Sequence, residues 1–137
     1  MNYWLVKSEP FVFSYDDLVR DGMTHWDGVR NYQARNNLRA MALDDLCLFY
    51  HSNEGLAVVG IARVIEEHYP DTTAEKGDWS AVDLGPYKAF QRLVTLAEIK
   101  STPELQQMSL VRNGRLSVMP LSSDEFFRIL DLGNTTI

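Results

Sequence analysis

The chain has 137 residues, of which 45% are hydrophobic and 23% are charged, a composition typical of one folded globular domain. Its 13 Lys and Arg against 19 Asp and Glu give a formal net charge of -6, which argues against sequence-independent coating of DNA or RNA, because such binding depends on neutralising phosphates. The single cysteine, Cys47, excludes an internal disulfide, and the longest apolar run, Leu56–Ala62, is too short to span a bilayer.

The first predicted elements are a strand and a short helix. Tyr3–Lys7 is rich in β-forming residues and ends before Pro10. A capping-box pattern at Ser14–Asp17 then predicts a helix that Gly22 ends. The start of the chain has neither a basic segment nor an apolar signal core, so we expect a cytoplasmic protein.

The most informative segment is Trp26–Arg39, which combines aromatic residues, amides and arginines without the apolar density of a core element. Four apolar residues in and after it have helical spacing and predict a helix on the core. These are Ala34, Leu38, Met41 and Ala42. A second face of that helix carries polar residues four apart: Asn31, Arg35 and Arg39. Like charges at this spacing are destabilising unless an anion or a carboxylate lies opposite.

Two interpretations of this polar face remain open. Three arginines and no acidic residue between Gly28 and Leu43 give a local charge of +3 in an acidic chain. The face is either a solvated basic surface or the edge of a ligand site. Amides and guanidinium groups can contact base edges and phosphates, and an indole can stack on a base, so this composition favours nucleic acid among ligands.

The middle of the chain predicts a central hairpin followed by a loop. Leu46–His51 and Leu56–Ile65 are apolar runs separated by the turn residues Ser52–Gly55, a pattern typical of two adjacent strands. Cys47 in the first run is expected to be buried and inert. Glu66–Asp78 predicts an exposed loop that carries Trp79 at its far end, a candidate ligand lid.

The remaining segments predict short strands and helices. Trp79–Leu84 and Arg92–Leu96 resemble strands with a break between them at Gly85 and Pro86. Capping boxes at Thr95–Glu98 and Ser122–Glu125 predict two helices. The lack of a regular βαβ period indicates α+β architecture or a small curved barrel with helices. No repeat or linker is present, so residues 1–137 are expected to form one domain.

Motifs for nucleoside triphosphates, redox chemistry and metals are absent from the sequence. The three histidines, His25, His51 and His68, share no metal-ligand spacing. We therefore predict no metal and no cofactor. An enzyme would be favoured if Glu9 or Glu54 lay within hydrogen-bonding reach of His51 inside a pocket.

Six motifs in order along nearly the whole chain resemble the successive signatures of the EVE domain family. They are Trp4–Pro10, Trp26–Asn36, Phe49–Asn53, Val59–Ala62, Tyr69–Asp71 and Arg115–Val118. That family belongs to the PUA-like superfamily together with the YTH and ASCH domains. The resemblance implies a curved β-barrel flanked by short helices.

The resemblance also implies an aromatic pocket for a modified base of DNA or RNA, similar to the cage in which YTH domains bind a methylated adenine. Trp26 would form one wall, and Trp79 is the second aromatic candidate. The other implied ligand-binding residues line the pocket or its rim: Lys7, Ser8, Asn31, Tyr32, Arg35, Asn36, His51, Asn53, Arg115 and Ser117.

The favoured function is a non-catalytic reader whose partner is nucleic acid carrying a modified base. The protein is expected to be a monomer and not to bind a membrane. One alternative is an enzyme that acts on a base, a nucleotide or a small aromatic metabolite. The other is an interaction module with a vestigial pocket, which a pocket plugged by Trp79 or Tyr69 would favour.

Overall fold

Six strands form one mixed sheet in the computed structural model, which describes residues 1–137. In chain order the elements are β1 (Tyr3–Ser8), α1 (Tyr15–Asp21), β2 (Thr24–Trp26), α2 (Tyr32–Ala40), β3 (Leu46–His51), β4 (Ala57–Pro70), β5 (Ser80–Thr95), α3 (Leu96–Lys100), a 3-10 turn (Pro103–Leu105), α4 (Ser109–Arg112), β6 (Val118–Leu121) and α5 (Ser123–Leu132). The strand order across the sheet is β2-β5-β4-β3-β1-β6. β1 and β3 are parallel, and every other neighbouring pair is antiparallel.

The sheet curves strongly but does not close. Helix α2 contacts both β5 and β6, which are four strand spacings apart and would lie about 19 Å from each other in a flat sheet. Asn37 Nδ2 donates to Val118 O at 2.7 Å, and Arg39 Nε donates to Ser80 Oγ at 2.8 Å, although the two donors are separated by only about 3 Å of helix rise. The ends of the sheet therefore approach each other, and α2 bridges them.

The prediction of α+β architecture is confirmed, whereas the expected curved β-barrel is not confirmed, because the sheet does not close on itself. β2 and β6 are the two edges of the sheet and do not pair with each other. β2 has only three residues, and Pro120 in β6 lacks an N–H, which suits an edge strand better than a closed ladder.

The long hairpin of β4 and β5 corrects two predictions. β4 continues to Pro70, so only the second part of the predicted Glu66–Asp78 loop is irregular. β5 runs without interruption through Gly85 and Pro86, where a break was expected. Register shifts at several points of this hairpin bend the strands and accommodate the proline, as β-bulges do.

The core lies between the concave sheet and the helices. Phe49 of β3 is fully buried, and the rings of Tyr15 and Trp26 pack edge-to-face on it with centroids 5.4 and 5.6 Å away. Cys47 is fully buried, and burial raises the pKa of its thiol, which leaves it inert as predicted. None of the helices is long and apolar enough to cross a membrane.

The capping signals correctly located three helices. Capping boxes are present at Ser14, Thr95 and Ser122, each of which accepts a hydrogen bond from the backbone N–H three residues on. Helix α2 ends at Ala40, so Ala42, predicted as part of its apolar face, is exposed beyond the helix end.

Candidate functional site

A cavity of about 490 Å³ opens where the end of β1, strand β2 and the segment before β6 meet. Four of the predicted site residues line it: Lys7, Ser8, Trp26 and Ser117. They converge because the curved sheet brings its two edges together, with β1 and β6 on one side and β2 on the other. The cavity therefore occupies the gap at which the sheet fails to close.

Trp26 forms a wall of this cavity and also belongs to the hydrophobic core. Only 9% of the residue is exposed, and its indole packs on Phe49. The Trp26 side chain therefore both lines the cavity and supports the fold.

Lys7 and Ser8, at the end of β1, hydrogen-bond to the chain segments on either side of them along the cavity wall. Lys7 N donates to Ser117 O at 3.0 Å, and Lys7 Nζ donates to Gly114 O at 2.8 Å. Ser8 Oγ donates to Phe13 O at 2.5 Å. Partial burial lowers the pKa of Lys7. Side-chain donors of Lys7 and Ser8 are thus already engaged in hydrogen bonds that stabilise the cavity wall.

Asp71 organises the wall that follows Trp26, and the sequence-based site missed it. Its buried carboxylate accepts hydrogen bonds from Gly28 N and Arg30 Nη1, both at 2.8 Å, and from Thr73 N at 2.8 Å. Burial alone raises the pKa of this carboxyl, but the hydrogen bonds from Thr73, Arg30 and Gly28 outweigh it and hold the pKa well below its usual range. The motif Tyr69–Asp71 was a signal that could have identified it.

Trp79 lies outside this cavity, in a second aromatic cluster. Its ring stacks on Tyr32 with centroids 5.1 Å apart and planes 16° apart. The Arg35 guanidinium lies 5.0 Å from the Tyr32 centroid and 5.8 Å from that of Trp79, and Arg30 lies 5.6 Å from Trp79. The predicted pair of indoles around one ligand is therefore not formed, although Arg30 lines the cavity and links it to this cluster.

The arginines of α2 differ in how their charge is compensated. Arg39 Nη2 forms an ion pair with Asp78 Oδ1 at 2.7 Å, which supplies the carboxylate that the like-charged face requires. Arg35 Nη1 donates to the Asp78 carbonyl at 3.1 Å and Arg35 Nε to Asn36 Oδ1 at 3.1 Å, but it contacts no carboxylate. Arg35 is thus the uncompensated cation of this helix.

Two other predicted residues have positions at the edge of the site. Asn31 is the N-cap of α2 rather than a member of its polar face, since its Oδ1 accepts from Ala34 N at 2.9 Å. Arg115 is exposed in the turn two residues before Ser117 and forms no hydrogen bond or ion pair within the chain.

His51 and Asn53 connect the β3–β4 turn to the segment after β1 instead of lining the cavity. His51 Nε2 accepts from Tyr15 N at 3.1 Å, and burial lowers its pKa. Asn53 Nδ2 donates to Glu9 Oε1 at 2.5 Å. Neither Glu9 nor Glu54 hydrogen-bonds His51, so the arrangement that would have favoured an enzyme is not formed.

A hydrogen-bonded cluster of His25, Tyr69 and Asp83, which the sequence did not indicate, lies at the cavity. His25 Nδ1 donates to Asp83 Oδ1 at 2.7 Å, and Tyr69 OH donates to the same carboxylate. The hydrogen bond and charge of Asp83 raise the pKa of His25. His25 lines the large cavity, whereas Tyr69 and Trp79 do not, so neither aromatic plugs it.

Comparison with known proteins gives consistent matches over the whole chain. A family model described as the EVE domain matches residues 2–132. Thymocyte nuclear protein 1 of Rattus norvegicus is 40% identical over 165 residues, which covers 96% of this chain and 73% of that protein.

Solved structures share the fold closely. A protein from Agrobacterium tumefaciens has a TM-score of 0.96 and 45% identity, covering 98% of this chain and 94% of that one. The human THYN1 protein in complex with 5-methylcytosine-containing DNA has a TM-score of 0.92 and 36% identity, and the match covers 100% of both chains. An ASCH structure from Zymomonas mobilis, at 13% identity and a TM-score of 0.60 over 97% of this chain and 96% of that one, is similar in fold alone.

Proposed function

The chain belongs to the EVE domain family, and we propose that it is a non-catalytic reader that binds a modified base of DNA in the cavity beside Trp26. The first candidate base is 5-methylcytosine, because a human relative that matches along its whole length was solved in complex with DNA containing it. The observation that carries the proposal is the cavity itself, with an indole wall, small hydroxyl side chains and cations at its rim.

The size and shape of the cavity suit an extruded base. Its volume of about 490 Å³ lies within the range of about 300–1,000 Å³ found for small-ligand sites. A concave site cannot reach a base inside a duplex, so the target nucleotide must leave the stack. The Trp26 edge and the apolar side chains of Val12 and Val29 then replace part of the lost stacking contact.

The hydroxyl groups give the cavity a way to recognise the polar edge of cytosine. The proton of Ser8 Oγ is directed at Phe13 O, which leaves lone pairs of that oxygen to accept from an exocyclic amino group. Cytosine carries such a donor at N4. Ser117, whose carbonyl accepts from Lys7 N on the same side of the cavity, can donate its hydroxyl proton to a ring acceptor.

Phosphate binding is assigned to the cations that the fold leaves uncompensated. Arg35 and Arg115 have no carboxylate partner, whereas Arg30 and Arg39 are paired with Asp71 and Asp78. A local cationic rim on a chain of net charge -6 keeps binding to unmodified polymer weak while still orienting a strand at the cavity.

The decisive experiment compares matched duplexes that differ by one methyl group. We expect fluorescence anisotropy at fixed salt to show about tenfold tighter binding of the duplex with 5-methylcytosine, the scale of one methyl group in an apolar pocket. Ser117→Tyr, which fills the cavity, should abolish this preference. Ser123→Tyr is the matched control, since Ser123 is exposed at the start of α5 and does not line the cavity.

Equal affinity for methylated and unmethylated duplex, extended to the other available base modifications, would contradict the reader function. So would a preference that survives Ser117→Tyr. An altered nucleoside released in the same samples would instead indicate an enzyme.

A further inference from the structure

The turn that follows β1 exposes two adjacent apolar side chains at the rim of the cavity. Phe11 is 84% exposed and Val12 is 76% exposed, the highest values among the large hydrophobic residues of the chain. Val12 and the next residue, Phe13, line the cavity. Phe11 therefore projects into solvent directly beside the cavity mouth. Exposed apolar side chains next to a concave site mark a surface that becomes covered in a complex.

This turn is fixed from several sides. Val12 N and Phe13 N both donate to Glu9 O at 2.9 Å, and Pro10 restricts the backbone between them. Asn53 Nδ2 holds the Glu9 carboxylate, and Ser8 Oγ holds Phe13 O. Phe11 is thus presented on a rigid support, so little conformational entropy is lost when it is buried by a partner.

We propose that Phe11, supported by Val12, is a wedge that enters the DNA duplex at the position vacated by the base in the cavity. The proposal rests on the reader function, and it assigns a DNA-binding role to Phe11, a residue that does not contact the base in the cavity. Extruding a base breaks two stacking steps and leaves an apolar gap. Proteins that bend or open DNA fill such gaps with Phe, Leu, Ile or Met side chains.

The residues around this turn favour DNA as its partner, in preference to an apolar protein surface. Lys7 lines the same cavity and contacts no carboxylate, so a phosphate beside the gap meets an uncompensated cation. The only acidic side chain in the turn, Glu9, is engaged by Asn53. Other exposed aromatics, Tyr87 and Phe127, do not line the cavity.

Comparing duplex with single strand tests the wedge, because only a duplex contains a gap to fill. Phe11→Ala should weaken binding to a duplex with one 5-methylcytosine by about tenfold. Its affinity for the same modified sequence as a single strand should stay within about twofold. Phe11→Leu should keep most of the duplex affinity, since leucine also acts as a wedge. Tyr87→Ala, which removes an exposed aromatic residue outside the cavity lining, is the control and should change neither affinity.

Two outcomes would overturn the wedge: an unchanged duplex affinity in Phe11→Ala, or equal losses on duplex and single strand. A wild-type chain that binds no duplex would also overturn it. Failure of the reader function is recognised separately, by equal affinity of the wild-type chain for methylated and unmethylated DNA in both forms. The thermal unfolding midpoint of Phe11→Ala should be unchanged because the side chain is 84% exposed.

Discussion

Trp26 connects the stability of the protein to its proposed recognition of a base. The sequence placed it in a polar motif, which favoured a ligand-facing residue. In the structure the residue is 9% exposed and its ring packs on Phe49 at the centre of the core. The same indole therefore stabilises the fold and walls the cavity.

Trp26→Ala should consequently lower the free energy of unfolding by about 3–5 kcal/mol as well as abolish binding of modified DNA. Trp26→Phe keeps an aromatic ring and should retain most of the stability. Chemical denaturation measures the first effect, and anisotropy under conditions where the variant stays folded measures the second. An unfolding free energy unchanged in Trp26→Ala would show that the ring does not support the core.

Asp71 is the other residue on which the cavity wall depends, and its contribution varies with pH. Asp71→Asn removes a buried charge that accepts from Gly28 N and Arg30 Nη1. It should cost about 1.5–3 kcal/mol of unfolding free energy at pH 7, the scale of hydrogen bonds to a charged group.

The sign of the pH dependence follows from the pKa of Asp71, which folding lowers. Its stabilisation is fully present above the unfolded-state pKa of about 3.9 and is lost as the pH falls through the folded-state pKa. The difference between wild type and Asp71→Asn should therefore shrink in strong acid. Denaturation curves across acidic pH measure it, and a constant difference would contradict the assignment.

Among the secondary-structure elements, helix α2 carries two arginines, Arg35 and Arg39, that nothing in the sequence distinguishes but that have different partners in the structure. Each phosphate contact contributes about 0.9 to the slope of log K against log salt. Arg35→Ala should reduce this slope by about that amount and weaken modified and unmodified DNA equally, because Arg35 contacts no carboxylate. Arg39→Ala should leave the slope unchanged, since Arg39 is paired with Asp78. Equal slopes in wild type and Arg35→Ala would exclude α2 from the DNA contact.

The packing of α1 on the sheet depends on a close approach at Gly60 in β4. A Cβ built there lies 2.5 Å from ring carbons of Tyr15, whose hydroxyl donates to Ile61 O at 2.8 Å. Gly60→Ala should therefore destabilise the protein by about 1–3 kcal/mol, as overpacking does. Gly114→Ala is the control, because a Cβ there meets no atom within 4 Å. A denaturation midpoint in Gly60→Ala equal to that of Gly114→Ala would contradict this packing.

For the whole molecule, the open gap in the curved sheet and the net charge of -6 together favour selective over general binding. A base that leaves the stack easily should bind better, because less unpairing energy is required. A duplex with 5-methylcytosine in a mismatch should bind about tenfold more tightly than the matched duplex, or about 1.4 kcal/mol. A duplex whose mismatch lies far from the modified base is the control, and equal affinities for all three would contradict base extrusion.

The cytoplasmic location and the monomeric state stay predictions.

Features that depend on contacts between neighbouring residues were predictable from the amino-acid sequence. Helix starts at Ser14, Thr95 and Ser122 were predictable because a cap bonds a backbone N–H three residues away. The β3–β4 hairpin followed from two apolar runs around a turn. The family motifs identified Lys7, Ser8, Trp26 and Ser117, which the structure brings to one cavity.

Tertiary structure alone decided which polar and aromatic side chains remain free for a ligand. Trp79 pairs with Tyr32 across 47 positions, Asn53 with Glu9 across 44, and Arg30 with Asp71 across 41. The gap that creates the cavity likewise forms only because the two edge strands, β2 and β6, approach each other through the curvature of the four strands between them. Capping patterns and periodicity arise from contacts within a few residues, so the chain displays them directly. Partners this distant in sequence are fixed only when the sheet and helix α2 have packed.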